Sequence, residues 1–367
     1  MIRALDNLIR WFVGLLFIFS GLVKLNDPMG TAIKMEEYFE VFSSDIWSVF
    51  HYLVPYAMHF GLFVVILEVL LGVALLIDYR MKWTAWILLL LIVFFTFLTF
   101  YSAFFNKVTD CGCFGDAIPL TPWQSFGKDI ILSILIIYIF IRKNKFKHYF
   151  NDRTGDIILI VVLAMNAFLA YYAIEHLPPI DFRPYHVGAD IKASMKPSEP
   201  YVYKYIMEKD GDRVELDTYP SDTTYKFIEM VHVNPEAVPK ITDYNVWNEE
   251  GDFTEESLTG VKLLVLFSDV NKSRYKKVKE INQLAQQTKD MLDAWVLTAN
   301  DEATYENFRH EYQLPLPYFY ADGTVIKAMI RANPGLMLLK DGVVLGKWHN
   351  NDIPTKEQID ELINSHT

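Results

Sequence analysis

Residues 83–105 read WTAWILLLLIVFFTFLTFYSAFF, 23 residues without a charge. At a rise of 1.5 Å per residue, such a run spans the ~30 Å hydrocarbon core of a bilayer, which makes the chain a membrane protein. Shortly after it stands Cys111-Gly112-Cys113-Phe114-Gly115-Asp116, which holds both cysteines of the 367 residues.

Working outward, similar apolar runs predict five spans, at about 8–25, 55–77, 83–105, 126–141 and 157–174. The basic residues Arg3 and Arg10, Arg80 and Lys82, and Arg142, Lys143, Lys145, Lys147 and Arg153 all fall at one end of this up-and-down order. Positively charged loops stay in the cytoplasm, so the N-terminus is expected inside and the C-terminus and Cys-X-Cys loop outside. The first span has no small-residue cleavage site after it and is read as retained. Between spans one and two, Met35, Tyr38, Phe39 and Phe42 recur at helical spacing among charges, as in an interfacial helix.

An outer location exposes thiols to an oxidising compartment, where a Cys-X-Cys pair is a plausible redox site. Gly112 lets the backbone bend far enough for the sulfurs to approach, in a small, strained and reducible ring. The alternative is two small residues in a tight loop, and metal binding by two sulfurs alone is disfavoured. Lys24, His59, Lys128 and Asp129 share the outer layer. The cationic ones would lower a thiol pKa, and Asp110 and Asp116 would oppose them. His59 serves equally well as a packing residue, and Lys24 as a snorkelling one.

Glu68 is the ionisable group deep in a span and is expected to face the bundle interior. By depth it matches Ser133 and Asn166, which predicts a buried polar cluster of the three. Lys24 is expected to lie too far out to reach Glu68. Structural glue and a proton or quinone site remain alternatives for the cluster.

Gly21-Leu22-Val23-Lys24-Leu25-Asn26-Asp27-Pro28, Leu67-Glu68-Val69-Leu70-Leu71-Gly72 and the CGCFGD loop resemble the DoxX/MauE family of bacterial membrane proteins, over residues 1–145. The resemblance implies a four-helix core in the inner membrane, with thiol–disulfide or quinone-linked redox chemistry or maturation of disulfide-containing partners. The fifth span is an addition to that core.

Charge divides the chain. Residues 1–155 carry 13 Lys/Arg against 12 Asp/Glu, and residues 156–367 carry 21 against 33. The acidic second half argues against nucleic acid and against docking on anionic lipid, and fits a soluble domain in the periplasm with a protein partner there or in the membrane. Domains are therefore expected at 1–177, at 178–240 as a proline-marked linker with a small β extension, and at 241–367.

The last part predicts strand, helix, strand, helix, strand, strand, helix at 263–267, 273–289, 292–297, 301–312, 336–339, 343–348 and 355–365, with a hairpin turn at Lys340-Asp341-Gly342. This order resembles the thioredoxin fold in its peroxiredoxin-like form, which implies a cis bond at Asn333-Pro334 and partner binding beside it. Where that fold carries Cys-X-X-Cys, this chain has Phe267-Ser268-Asp269-Val270-Asn271-Lys272-Ser273-Arg274, so the domain has no thiol to exchange. A redox component and a non-enzymatic scaffold or accessory subunit of an envelope complex are both consistent with these features.

Overall fold

Apolar runs that cannot leave backbone groups unpaired in lipid must close their hydrogen bonds locally, and here they do so as helices. The computed structural model describes residues 2–108, 112–146, 150–234 and 237–366. The chain divides into two compact units, Met1–Phe182 and Arg183–Thr367.

In the first unit, α1 (Ile2–Asn26) is followed by α2 (Pro28–Asp45), a 3-10 segment (Ser48–Tyr56), α3 (Ala57–Leu76), α4 (Met81–Phe105), α5 (Pro122–Arg142) and α6 (Asp152–Glu175). Five helices among the described residues are long and apolar enough to cross a membrane, namely α1, α3 with the 3-10 segment, α4, α5 and α6. Their ends are set by local chemistry. Asp27 accepts from the Gly30 N–H at 2.9 Å to start α2, Thr121 and Gln124 form a reciprocal cap on α5, and Asn151 caps α6 through the Thr154 N–H at 2.8 Å. The expected helix after span one is present as α2. Its stripe of Met35, Tyr38, Phe39 and Phe42 is buried in a cluster with Ala57, Leu98 and Tyr101 of α3 and α4.

α1 and α3 run antiparallel in close contact. A Cβ on Gly72 would lie 2.8 Å from the Gly14 carbonyl oxygen, and one on Gly21 would collide with Val69. Small residues let helix backbones approach where lipid supplies no hydrophobic drive for association.

Polar ties mark the two ends of the bundle. At one end, Arg142 and Tyr138 donate to Asp6 at 2.6 and 2.7 Å, Arg10 pairs with Asp78, and Tyr79 and Arg80 meet Asp156. At the other, Lys107 reaches both oxygens of Asp45 at 2.6 Å. That contact, followed by the Tyr101 hydroxyl, holds the Asp45 carboxyl at about 2.

In the second unit a short helix α7 (Ile191–Ser194) precedes β1 (Tyr203–Lys209), β2 (Asp212–Leu216) and β3 (Lys226–His232), an antiparallel sheet in the order β2-β1-β3. Next come β4 (Trp247–Asn248), β5 (Gly251–Asp252), α8 (Thr254–Ser257), β6 (Val261–Phe267), α9 (Val278–Thr288), β7 (Asp293–Thr298), α10 (Glu302–Glu311), β8 (Tyr318–Tyr320), α11 (Gly323–Met329), β9 (Gly335–Lys340), β10 (Val343–His349) and α12 (Lys356–Ser365). The second sheet has the order β10-β9-β6-β7-β8-β4-β5. β6 pairs parallel with β7 and antiparallel with β9, and β9 pairs antiparallel with β10, the thioredoxin arrangement. Val261-Lys262-Leu263-Leu264-Val265-Leu266-Phe267 is apolar at six of seven positions because it is central and covered on both faces. Residues 188–191, expected within the linker, pack on this sheet instead: the Gly188 N–H donates to Val344 at 2.8 Å and the Val344 N–H to Ala189 at 2.9 Å.

Gly72→Leu is expected to destabilise the first unit by about 1–3 kcal/mol through overpacking against α1. Thermal unfolding in detergent checks this, with Leu71→Met as a volume-conserving comparison that should stay near wild type.

Candidate functional site

Antiparallel order brings the C-terminal ends of α1 and α4, the first turn of α3 and the start of α5 to the end that carries the cysteine loop. Of that loop, Cys111 and Asp110 lie outside the described residues, as does Lys147 of the basic stretch between α5 and α6. Cys113 is half-buried, and its carbonyl accepts from the Ser20 hydroxyl of α1 at 2.9 Å. Gly112 and Gly115 take left-handed conformations, φ +63° and +51°, and the Gly115 N–H closes the turn onto the Gly112 carbonyl at 3.2 Å. The turn directs Phe114 inward, where it is buried against Phe19 with ring centroids 5.8 Å apart.

Beneath Phe114 lies a cavity of about 20 Å³ lined by Ser20, Glu68, Phe95, Lys128 and Asp129 among others. That is room for about one water. Lys128 Nζ lies 2.8 Å from Asp129 Oδ1 and 5.1 Å from the Phe114 ring centroid. Asp129 Oδ2 accepts from the Thr99 hydroxyl of α4 at 2.9 Å. Lys24 Nζ lies 2.5 Å from Glu68 Oε2 and 4.9 Å from the Phe95 ring centroid. The site therefore holds two ammonium groups and two carboxylates.

The Lys24–Glu68 pair corrects the expectation that Lys24 lies too far out. Gly21 packs against Val65 and Val69, so Lys24 is only about 6 Å along the axis from the level of Glu68. Side chains on a helix lean toward its N-terminus, and on antiparallel helices that leans these two toward each other. Glu68 does face the interior, 3% exposed, but in other company than Ser133 and Asn166. The Ser133 hydroxyl shares a 3.1 Å hydrogen bond with Thr96, and Asn166 is buried on α6; neither lines the cavity. Equal depth does not fix the side of the helix. Leu132 points into the cavity, and the next residue is rotated by 100° toward α4. His59 is exposed on the first turn of α3 beside Tyr56, also away from the cavity. Ser20 escaped sequence reading although it sits three and four residues from Phe17 and Lys24 on one α1 stripe. Thr99 carries no comparable signal.

In the second unit the Asn333-Pro334 bond is cis. Asn333 Nδ2 donates to the Asp269 carbonyl at 2.6 Å, the Arg274 N–H donates to the Asn333 carbonyl at 3.0 Å, and Asn350 Nδ2 donates to the Pro334 carbonyl at 3.0 Å. The proline loop is thus laced to the segment that replaces Cys-X-X-Cys.

Losing either Lys24 or Glu68 leaves a buried charge alone, which costs about 3–5 kcal/mol. Lys24→Met and Glu68→Gln should each lower the unfolding temperature in detergent, and the double variant should recover most of the loss.

Residues 2–142 match the family profile of methylamine utilisation protein MauE, and residues 201–233 match a domain of unknown function. Protein TlpB of Flavobacterium psychrophilum is 28% identical over 157 residues, 41% of this chain, and the chain spans only 40% of that relative. A secreted Mycobacterium tuberculosis disulfide oxidoreductase homologous to E. coli DsbE aligns over 33% of this chain and 96% of its own, with 15% identity and TM-score 0.25. A thiol peroxidase from Chromobacterium violaceum aligns over 34% and 84%, with 16% identity and TM-score 0.27. The chain joins a MauE-like membrane domain, over residues 2–142, to a thioredoxin-like domain.

Proposed function

We propose that the protein resides in a bacterial inner membrane, N-terminus in the cytoplasm and second unit in the periplasm, and exchanges disulfides with a partner protein through Cys111 and Cys113. The observation that carries this reading is the setting of Cys113: its carbonyl accepts from the Ser20 hydroxyl, and the Lys128 ammonium lies 5.1 Å from the ring centroid of the next residue, Phe114. A cation near a thiol favours the thiolate, which is the attacking species in exchange. In the oxidising direction of this chain, one cysteine attacks the partner's disulfide, and the second then displaces the mixed disulfide. An S–S bond forms between Cys111 and Cys113, the partner's S–S bond is reduced to two thiols, and electrons and protons balance. The reverse reaction delivers a disulfide to the partner.

The thioredoxin-like unit supplies no thiol, because the sequence has no cysteine after Cys113. In this reading it binds the partner beside Pro334. The same absence favours the second reading, an accessory subunit that only holds a partner.

A Cys113→Ser variant should trap or lose the mixed disulfide that wild type resolves, and Cys111→Ser should abolish net exchange, read by non-reducing electrophoresis after alkylation in native membranes. Full complementation by both variants would leave the accessory reading standing. Single cysteines introduced near Lys145 and Asp181 test the orientation: the first should be protected from an impermeant label applied outside and the second reactive.

A further inference from the structure

The sheet β2-β1-β3 falls within the residues that match a domain of unknown function. β3 is its edge: it pairs with β1 along one side, and among the described residues no strand adjoins the other. Every residue from Lys226 to Val231 is exposed, so neither face of the strand is covered. The Val233 N–H donates to the Val202 carbonyl at 2.8 Å, and antiparallel alternation then turns the N–H and C=O groups of His232 and Met230 toward the open side. A row of such groups is a template for a further strand.

Which strand fits is decided by charge. β3 carries a bulge: Glu229 stands opposite Ile206 and Phe227 opposite Met207, with Ile228 the extra residue. Lys226 stands opposite Glu208, which shares a face of β1 with Ile206 two residues away. The bulge thus puts Lys226 and Glu229 on one face, although three residues apart they would face opposite ways in a regular strand. On that face Lys204 is paired with Glu215 at 3.2 Å, whereas neither Lys226 nor Glu229 is in an ion pair among the described residues.

We propose that β3 pairs antiparallel with β3 of a second copy, about a two-fold axis through the bulge, so that Lys226 of each copy faces Glu229 of the other. The interface is isologous, and opposite charges directly across a strand pair attract while like charges repel. Besides His232, Lys226 and Glu229 are the only ionisable residues of β3, so this register is the one that sets its cation against its anion. The edge carries its own complement. A seven-residue strand is small beside the ~1,200–2,000 Å² buried in a stable interface, so the pairing belongs to copies concentrated in one membrane rather than to dilute detergent. It does not involve Cys111 or Cys113.

The first test is a zero-length carbodiimide, which joins an ammonium to a carboxylate only where they touch. Isotopically light and heavy full-length protein, in equal parts, are reconstituted together in phosphatidylcholine vesicles, coupled and digested. About half of the linked Lys226–Glu229 peptides should join a light chain to a heavy one, as random two-fold pairing requires. Links confined to light with light and heavy with heavy, or no such link, overturn the proposal. The second test is energy transfer between copies carrying donor and acceptor dyes at the C-terminus, in the same vesicles. Lys226→Glu or Glu229→Lys alone should lower the paired fraction by about fivefold, since two attractions become two repulsions. A chain with both reversals should regain it, and so should a mixture of the two single variants, which no folding defect would allow. Reversals without effect, or a loss that neither the double variant nor the mixture repairs, overturn the proposal. So does coupling of Lys226 or Glu229 in native membranes to a different protein with none between copies, which would give the edge to a foreign strand.

Discussion

A charge inside a bilayer must have a partner, and in the membrane unit this requirement sets the register of the helices. Arg10 is fully buried against Asp78, Lys24 pairs with a buried Glu68, and Lys128 lies against a buried Asp129. An unpaired buried charge costs several kcal/mol, more than the ~1.5–3 kcal/mol gained by burying one large apolar side chain. A slide of α1 along α3 by one turn would separate Lys24 from Glu68 and Arg10 from the loop after α3 together. Apolar packing alone would tolerate such a slide better, since one face of Leu, Val and Phe resembles another. Gly14, Gly21 and Gly72 add shape to this, as their contacts close only at one register.

The same constraint explains what was readable from sequence. Span number follows from the length of uncharged runs such as residues 83–105, a demand of bilayer thickness that nothing in the tertiary fold can override. Glu68 was readable as inward-facing because a lipid-facing carboxylate is too costly. Its partner was not, because depth along a helix says nothing of the lean of a long side chain or of the side it faces. The first hides the Lys24–Glu68 pair, and the second hides the turn of Ser133 toward Thr96. In the second unit, β6, β9 and β10 stood out as apolar runs of strand length with a hairpin turn between the last two. β8 is three residues long and α11 seven, too short for either period to emerge, and both exist because the neighbouring sheet gives them something to cover.

The cysteines and the thioredoxin-like sheet belong to different units. The second has the thioredoxin sheet and the cis-proline loop, yet its Ser268 to Ser273 segment is occupied by a 3-10 turn capped by Asp269, hydrogen-bonded across to Asn333. Cys113 instead lies in a loop of the membrane unit with contacts from several directions: Ser20 grips its carbonyl, Phe114 anchors in the cavity roof, and Lys107 ties the end of α4 to Asp45 on α2.

A turn that sends a side chain inward asks for backbone conformations that few residues adopt. The loop glycines follow from the same need: Gly112 and Gly115 adopt left-handed conformations that allow a turn tight enough to send Phe114 inward while Cys113 remains half-buried. A larger residue at either place would strain the turn and release Phe114, and with it the wall between Lys128 and solvent. The inward place of Phe114 is thus set by the backbone geometry of two glycines as much as by the ring it packs against.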